Sequence, residues 1–112
     1  MKLIDSITAD AKQNFTLIGE NRQRIKFYLY YLPTQQSWFF DISYGKIDLN
    51  GAQLTVGPNI LRNYSNNIDF GLAVTSTNGL DPFYLEDFSN GRIRLYLLNQ
   101  AEVDIVEASF AT

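Results

Sequence analysis

Carboxylates are the residues of this chain best equipped for chemistry. Asp41 and Asp48 flank Tyr44-Gly45 in "DISYGKID", and Asp81, Glu86 and Asp87 form a second acidic group in "DPFYLEDFSNG". A two-residue turn at Tyr44-Gly45 would set Asp41 directly opposite Asp48, as a shared-proton pair or part of a cation site. Like charges so placed destabilise a sheet, and calcium needs six or more oxygens where these neighbours supply few. A bulge or longer turn that separates the two acids is the better reading. Glu86 and Asp87 would serve a glycosidase only if held roughly 5 to 10 Å apart across a sugar cleft, and paired acids in a turn-rich segment are ordinarily solvated. No catalytic residue and no metal site is assigned.

The absent residue types exclude more than the present ones suggest. The chain has no histidine and no cysteine. The commonest general base, the commonest zinc ligand, thiolate nucleophiles and disulfides are thereby removed together, in keeping with a reducing compartment. No GxGxxG, P-loop, GxSxG or EF-hand spacing occurs. A net charge of −3 opposes a nucleic-acid module, because binding phosphates needs a concentrated surplus of Lys and Arg, and the local group Arg22, Arg24 and Lys26 reads as a solvated strand face. "MKLIDSITADAKQNF" lacks the apolar run of a signal peptide, and no segment is long and apolar enough to span a bilayer. The expectation is a soluble, unexported protein with no cofactor and neither nucleic acid nor membrane as partner.

The elements that position these residues repeat with a period of two. Ile25, Phe27, Leu29 and Tyr31 alternate with Arg24, Lys26, Tyr28 and Tyr30 in one strand, which Pro33 ends. Trp38, Phe40 and Ile42 alternate with Phe39, Asp41 and Ser43 in a second. Phe70, Leu72 and Val74, then Ile93, Leu95 and Leu97, repeat the pattern; Phe15 and Leu17 precede it, and Val103 and Ile105 fit a last strand near the C-terminus. Asn50-Gly51 predicts a hairpin turn pairing Leu49 with Ala52 and Ile47 with Leu54. Asn78-Gly79, Asn90-Gly91 and Asp81-Pro82 mark further turns. No long helix is expected, only a helical turn in "PNILRNY", residues 58 to 64. Six to eight short strands punctuated this way predict an all-β fold, a single antiparallel β-sandwich or small barrel, as one domain over residues 1–112 with its core in 13–98.

Trp38, Phe40, Ile42, Phe27, Leu29, Leu72, Leu95 and Leu97 are the predicted core, since an alternating strand buries its apolar face. Phe39, Tyr28 and Tyr30 point the other way. Aromatics on a nominal solvent face imply a second buried layer or a contact patch, and with Arg24 and Lys26 beside them they are the candidate interface. That face would be covered by a partner protein, by a copy of the chain, or by a terminal segment (1 to 13 or 99 to 112) folding over it. A sandwich binding a carbohydrate or peptide on this aromatic platform is the second reading.

From about Gln13 to Leu98 the chain resembles the small baseplate plug proteins of contractile-tailed bacteriophages, the family named after a cyanophage baseplate plug. The likeness is carried by the order of "NFTLIGENRQRIKFYLYYLPTQQSWFFDISYG", "LNGAQLTVGPNILRNY", "LDPFYLEDF" and "RIRLYLL". "FSNGRIRL" departs from it, with a longer turn before the final strand. The resemblance implies a structural, non-enzymatic role in the virion around the central hub of the tail baseplate. It implies no cofactor and no catalytic residue, other baseplate or hub proteins as partners with a homo-oligomer as an option, and a soluble stage in the host cytoplasm during assembly.

Overall fold

The computed structural model describes residues 2–19, 22, 24–64 and 68–110. Its strands are β1 (Lys2–Leu3), β2 (Lys12–Ile18), β3 (Arg24–Leu32), β4 (Ser37–Tyr44), β5 (Ile47–Gln53), β6 (Gly71–Ser76) and β7 (Ile93–Leu98), followed by one helix, α1 (Gln100–Phe110). β2-β3-β4-β5 form one antiparallel sheet and β1-β7-β6 another. The two sheets enclose a common core as a small β-sandwich, without closing into a barrel.

Alternation drives this arrangement. Ile25, Phe27 and Leu29 of β3, Trp38, Phe40 and Ile42 of β4, Leu72 and Val74 of β6, and Ile93, Leu95 and Leu97 of β7 are all buried in one cluster. Each contributes on the order of 1.5–3 kcal/mol through removal from water. All eight predicted core residues are among them, joined by Ile4, Ile7, Leu54, Leu61, Ile68 and Phe70. Phe27 and Phe40 stack at 5.6 Å between ring centroids, and Trp38, fully buried, meets Phe88 edge-on at 5.3 Å.

Asn50-Gly51 is not the hairpin turn expected from its sequence. The chain reverses at Gly45-Lys46, with Gly45 at φ 59°, and β5 runs through Asn50 and Gly51 to Gln53. Phe40 pairs with Ala52 and Ile42 with Leu49, so Asn50 and Gly51 together oppose the single residue Asp41. Gly51, at φ 70°, makes this a β-bulge of the kind that needs a left-handed glycine. Positive φ served a bulge rather than a turn, because the partner strand was long enough to continue pairing.

The last expected strand is also a helix. Val103 and Ile105 lie in α1, where Val103 is buried and Ile105 is 71% exposed. The Asn99 carboxamide oxygen accepts from the Glu102 N–H at 2.9 Å while the Glu102 carboxylate accepts from the Asn99 N–H at 3.1 Å, a reciprocal N-terminal cap. Leu98 before the cap and Val103 after it pack together with Ala73, pinning α1 to the outer face of β6 and β7. Because β1 pairs with β7 and α1 rests on that same sheet, neither described terminal segment folds over the aromatic face of β3 and β4.

Candidate protein–protein interface and the buried acid

β3 and β4 carry the candidate interface on the outer side of the four-stranded sheet. Their register places Tyr30 beside Phe39, Tyr28 beside Asp41 and Lys26 beside Ser43. Tyr28 and Tyr30, two residues apart and therefore on one face, stack at 5.1 Å with planes 25° apart. Phe39 continues the ladder from Tyr30 at 6.0 Å and 22°. All three rings are half-buried, while Arg24 and Lys26, further along β3, are exposed. The structure thus brings Tyr28, Tyr30 and Phe39 into contact and leaves the two cations as its solvent-facing extension.

Asp41 braces this ladder, a role its place in the bulge creates. Its Oδ1 accepts the Gly51 N–H at 2.7 Å and the Tyr30 hydroxyl at 3.4 Å. Burial, together with the Asp41 charge and hydrogen bond, pushes the Tyr30 phenol above its ordinary range and keeps it neutral. Asp48 faces Ser43 instead, two rungs from Asp41, so the two acids are not opposed. Beside the rings lies a shallow, open depression of about 290 Å³ whose polar lining includes Asn14, Thr16, Lys26, Asp41 and Ser43. Among the described residues no three acidic side chains gather as metal ligands.

The second acidic group is not solvated as a turn-rich segment suggested. Asp87 is fully buried. Its Oδ2 accepts the N–H groups of Phe83 and Tyr84, each at 2.7 Å, and both its oxygens meet the Arg92 guanidinium in a two-pronged pair. Arg92 also donates to the Leu80 and Asp81 carbonyls and covers the Phe83 ring at 4.4 Å. Burial alone would raise the Asp87 carboxyl; the Arg92 guanidinium and the two backbone N–H groups outweigh it and hold the group below the ordinary carboxylate range. The loop so fixed presents the Phe83 carbonyl to the Tyr31 hydroxyl at 2.7 Å and the Tyr84 carbonyl to the Trp38 indole N–H at 3.0 Å. Asp87 therefore holds a loop that satisfies two core aromatics and is not placed for general acid or base work.

At the other end of β4, the Tyr44 hydroxyl donates to Asp69 at 2.6 Å; burial and this bond push its phenol up to about 12. Sequence reasoning missed Asp41 as a brace, although its alternation with Phe39 and Ser43 put it on the right face. It also missed the α1 cap, whose signal, Asn99 followed three residues later by Glu102, stands in the sequence.

A search of curated proteins finds no match to the chain. The family whose sequence model is described as cyanophage baseplate Pam3 plug gp18 matches residues 1–100, which cover every described strand of the sandwich and end at the start of α1. By that match the chain belongs to the cyanophage baseplate plug family.

Proposed function

We propose that this protein is a structural, non-enzymatic plug seated at the central hub of a contractile tail baseplate, which it joins through the outer face of its four-stranded sheet. Family membership supports the baseplate role. The observation that carries the contact face is the Tyr28–Tyr30–Phe39 ladder, three half-buried aromatics that no described terminal segment covers. Amphipathic rings beside Arg24 and Lys26 are the residue types enriched where proteins bury surface against each other. The partners are other baseplate or hub proteins, with nucleic acid and membrane playing no part, and the chain passes from the host cytoplasm into the virion tail. A residue set without histidine or cysteine fits a role that needs no catalysis.

The ladder also argues against the carbohydrate or peptide reading. Tyr30 stacks with both Tyr28 and Phe39, so the central ring of the platform is already engaged by its own neighbours. Co-purification with the neighbouring tail proteins tests the proposal. The Tyr28→Ala/Tyr30→Ala/Phe39→Ala variant should keep the wild-type circular dichroism spectrum and lose incorporation into the baseplate. Unchanged incorporation would remove this face as the contact surface.

A further inference from the structure

Among the described residues, one of the four sheet edges is paired and two are interrupted or short. Beyond β6, Gly57 exchanges backbone hydrogen bonds with Val74 and the Ile60 N–H donates to the Leu72 carbonyl. β5 is broken by its bulge, and β1 is two residues long. β2 is different, since its seven residues pair with β3 in unbroken register from Lys12 to Ile18. The Tyr31 N–H donates to the Ala11 carbonyl, one rung before Lys12. Backbone groups alternate in an antiparallel ladder, so Gln13, Phe15 and Leu17 turn theirs toward β3, while Lys12, Asn14, Thr16 and Ile18 turn theirs outward. None of those outward groups meets a partner among the described residues. On the core side Phe15 and Leu17 are only half-buried. Ile18, 51% exposed, shares with Leu3 a groove of about 220 Å³ between β2 and β1.

We propose that β2 is a self-association edge, along which two copies pair β2 with β2 antiparallel about a two-fold axis through Phe15. Of the registers that match outward groups with outward groups, this one engages all four residues. Lys12 then faces Ile18 of the second copy, Gln13 faces Leu17, and Asn14 faces Thr16. No like charges meet, and the half-buried Phe15 rings cover one another. An edge this long and unbroken is a template for strand addition, and a second copy fits it because the two-fold register engages every outward group and opposes no like charges. The axis stands perpendicular to the sheet, so both aromatic faces lie on one side of the joined sheet. The inference stands independently of the baseplate role.

Sedimentation of the full chain over a concentration series tests it, with a dimer expected. Thr16→Pro deletes an outward N–H and leaves the β2–β3 ladder intact, so the melting curve should stay near wild type while self-association weakens about tenfold or more. The chain has no cysteine of its own. Mixing Asn14→Cys with Thr16→Cys chains under mild oxidation should therefore give a cross-linked dimer faster than either variant alone. A wild-type chain that stays monomeric at every concentration overturns the proposal, as does a folded Thr16→Pro chain that dimerises like wild type. A cross-link no faster in the mixture than alone overturns it too. The Tyr28→Ala/Tyr30→Ala/Phe39→Ala variant should keep the dimer; losing it with the fold intact would move self-association to the aromatic face and overturn the β2 pairing.

Discussion

The outer face of the three-stranded sheet carries its own cover, whereas among the described residues no helix lies on the outer face of the four-stranded sheet. On β6 and β7 the outward positions include Ala73 and Leu98, on which Val103 of α1 packs. Gly71 belongs to that seat, because a Cβ there would stand 2.9 Å from Val103 Cγ2 and 2.7 Å from Asn59 Oδ1. On β3 and β4 the outward positions hold Tyr28, Tyr30 and Phe39, large rings that fill their own space and leave no comparable seat for a helix. Both faces arise from strands with one apolar side toward the core. Side-chain size on the far side decides whether a helix of the chain finds a seat there.

The interior common to both sheets sets the scale against which that contrast is read. Trp38→Ala empties the largest buried side chain, and a loss of about 3–5 kcal/mol is expected, seen as a lower midpoint in urea unfolding with both faces lost together. Retention of the wild-type midpoint would mean that the sheets do not depend on one another.

The loop at the end of the sandwich should respond nearly as strongly. Asp87→Ala strands the Arg92 guanidinium, whose side chain is 13% exposed, and breaking such a pair costs about 3–5 kcal/mol. Acid should act on the same pair. Because the folded Asp87 carboxyl lies below its ordinary value of 3.8, its stabilisation is complete above that value and is lost as pH falls through the lower folded one. Thermal melting of wild type should therefore decline steeply below about pH 4, and Asp87→Asn should show a shallower decline. Parallel acid profiles would place the acid sensitivity elsewhere.

Gly71→Ala probes the covered face. Asn59 and Val103 must both yield to the new methyl group, at about 1–3 kcal/mol. Limited proteolysis should then cut within residues 100–110 faster than in wild type; equal rates would show that α1 tolerates a raised seat.

Tyr30→Phe, on the open face, removes only the hydroxyl that donates to Asp41 across 3.4 Å, and a change within about 0.5 kcal/mol is expected. A larger loss in thermal melting would mean that the ladder itself stabilises the fold.

Much of the sandwich is legible in the sequence. Each predicted core residue alternates with polar or outward neighbours, and side chains of period two sort themselves onto two faces whatever the rest of the chain does. The same alternation put Tyr28, Tyr30 and Phe39 together on the outward side. It could not say whether something covered them, since that depends on where the chain termini travel.

Alternation over short distance, then, is what the sequence by itself determined: which residues face inward in β3, β4, β6 and β7, that the fold is all-β, and that histidine and cysteine chemistry is absent. Tertiary structure decided the rest. Asn50-Gly51 permits a turn or a bulge with equal local ease, and the length of the strand opposite selected the bulge that gives Asp41 its two donors. Val103 and Ile105 fit a strand or a helix over so few residues, and the seat offered by Ala73 and Leu98 selected the helix. Asp87 reads as solvated beside Glu86 until Arg92 folds back onto it, because the burial of a charge is set by groups that only the folded loop brings within hydrogen-bond reach.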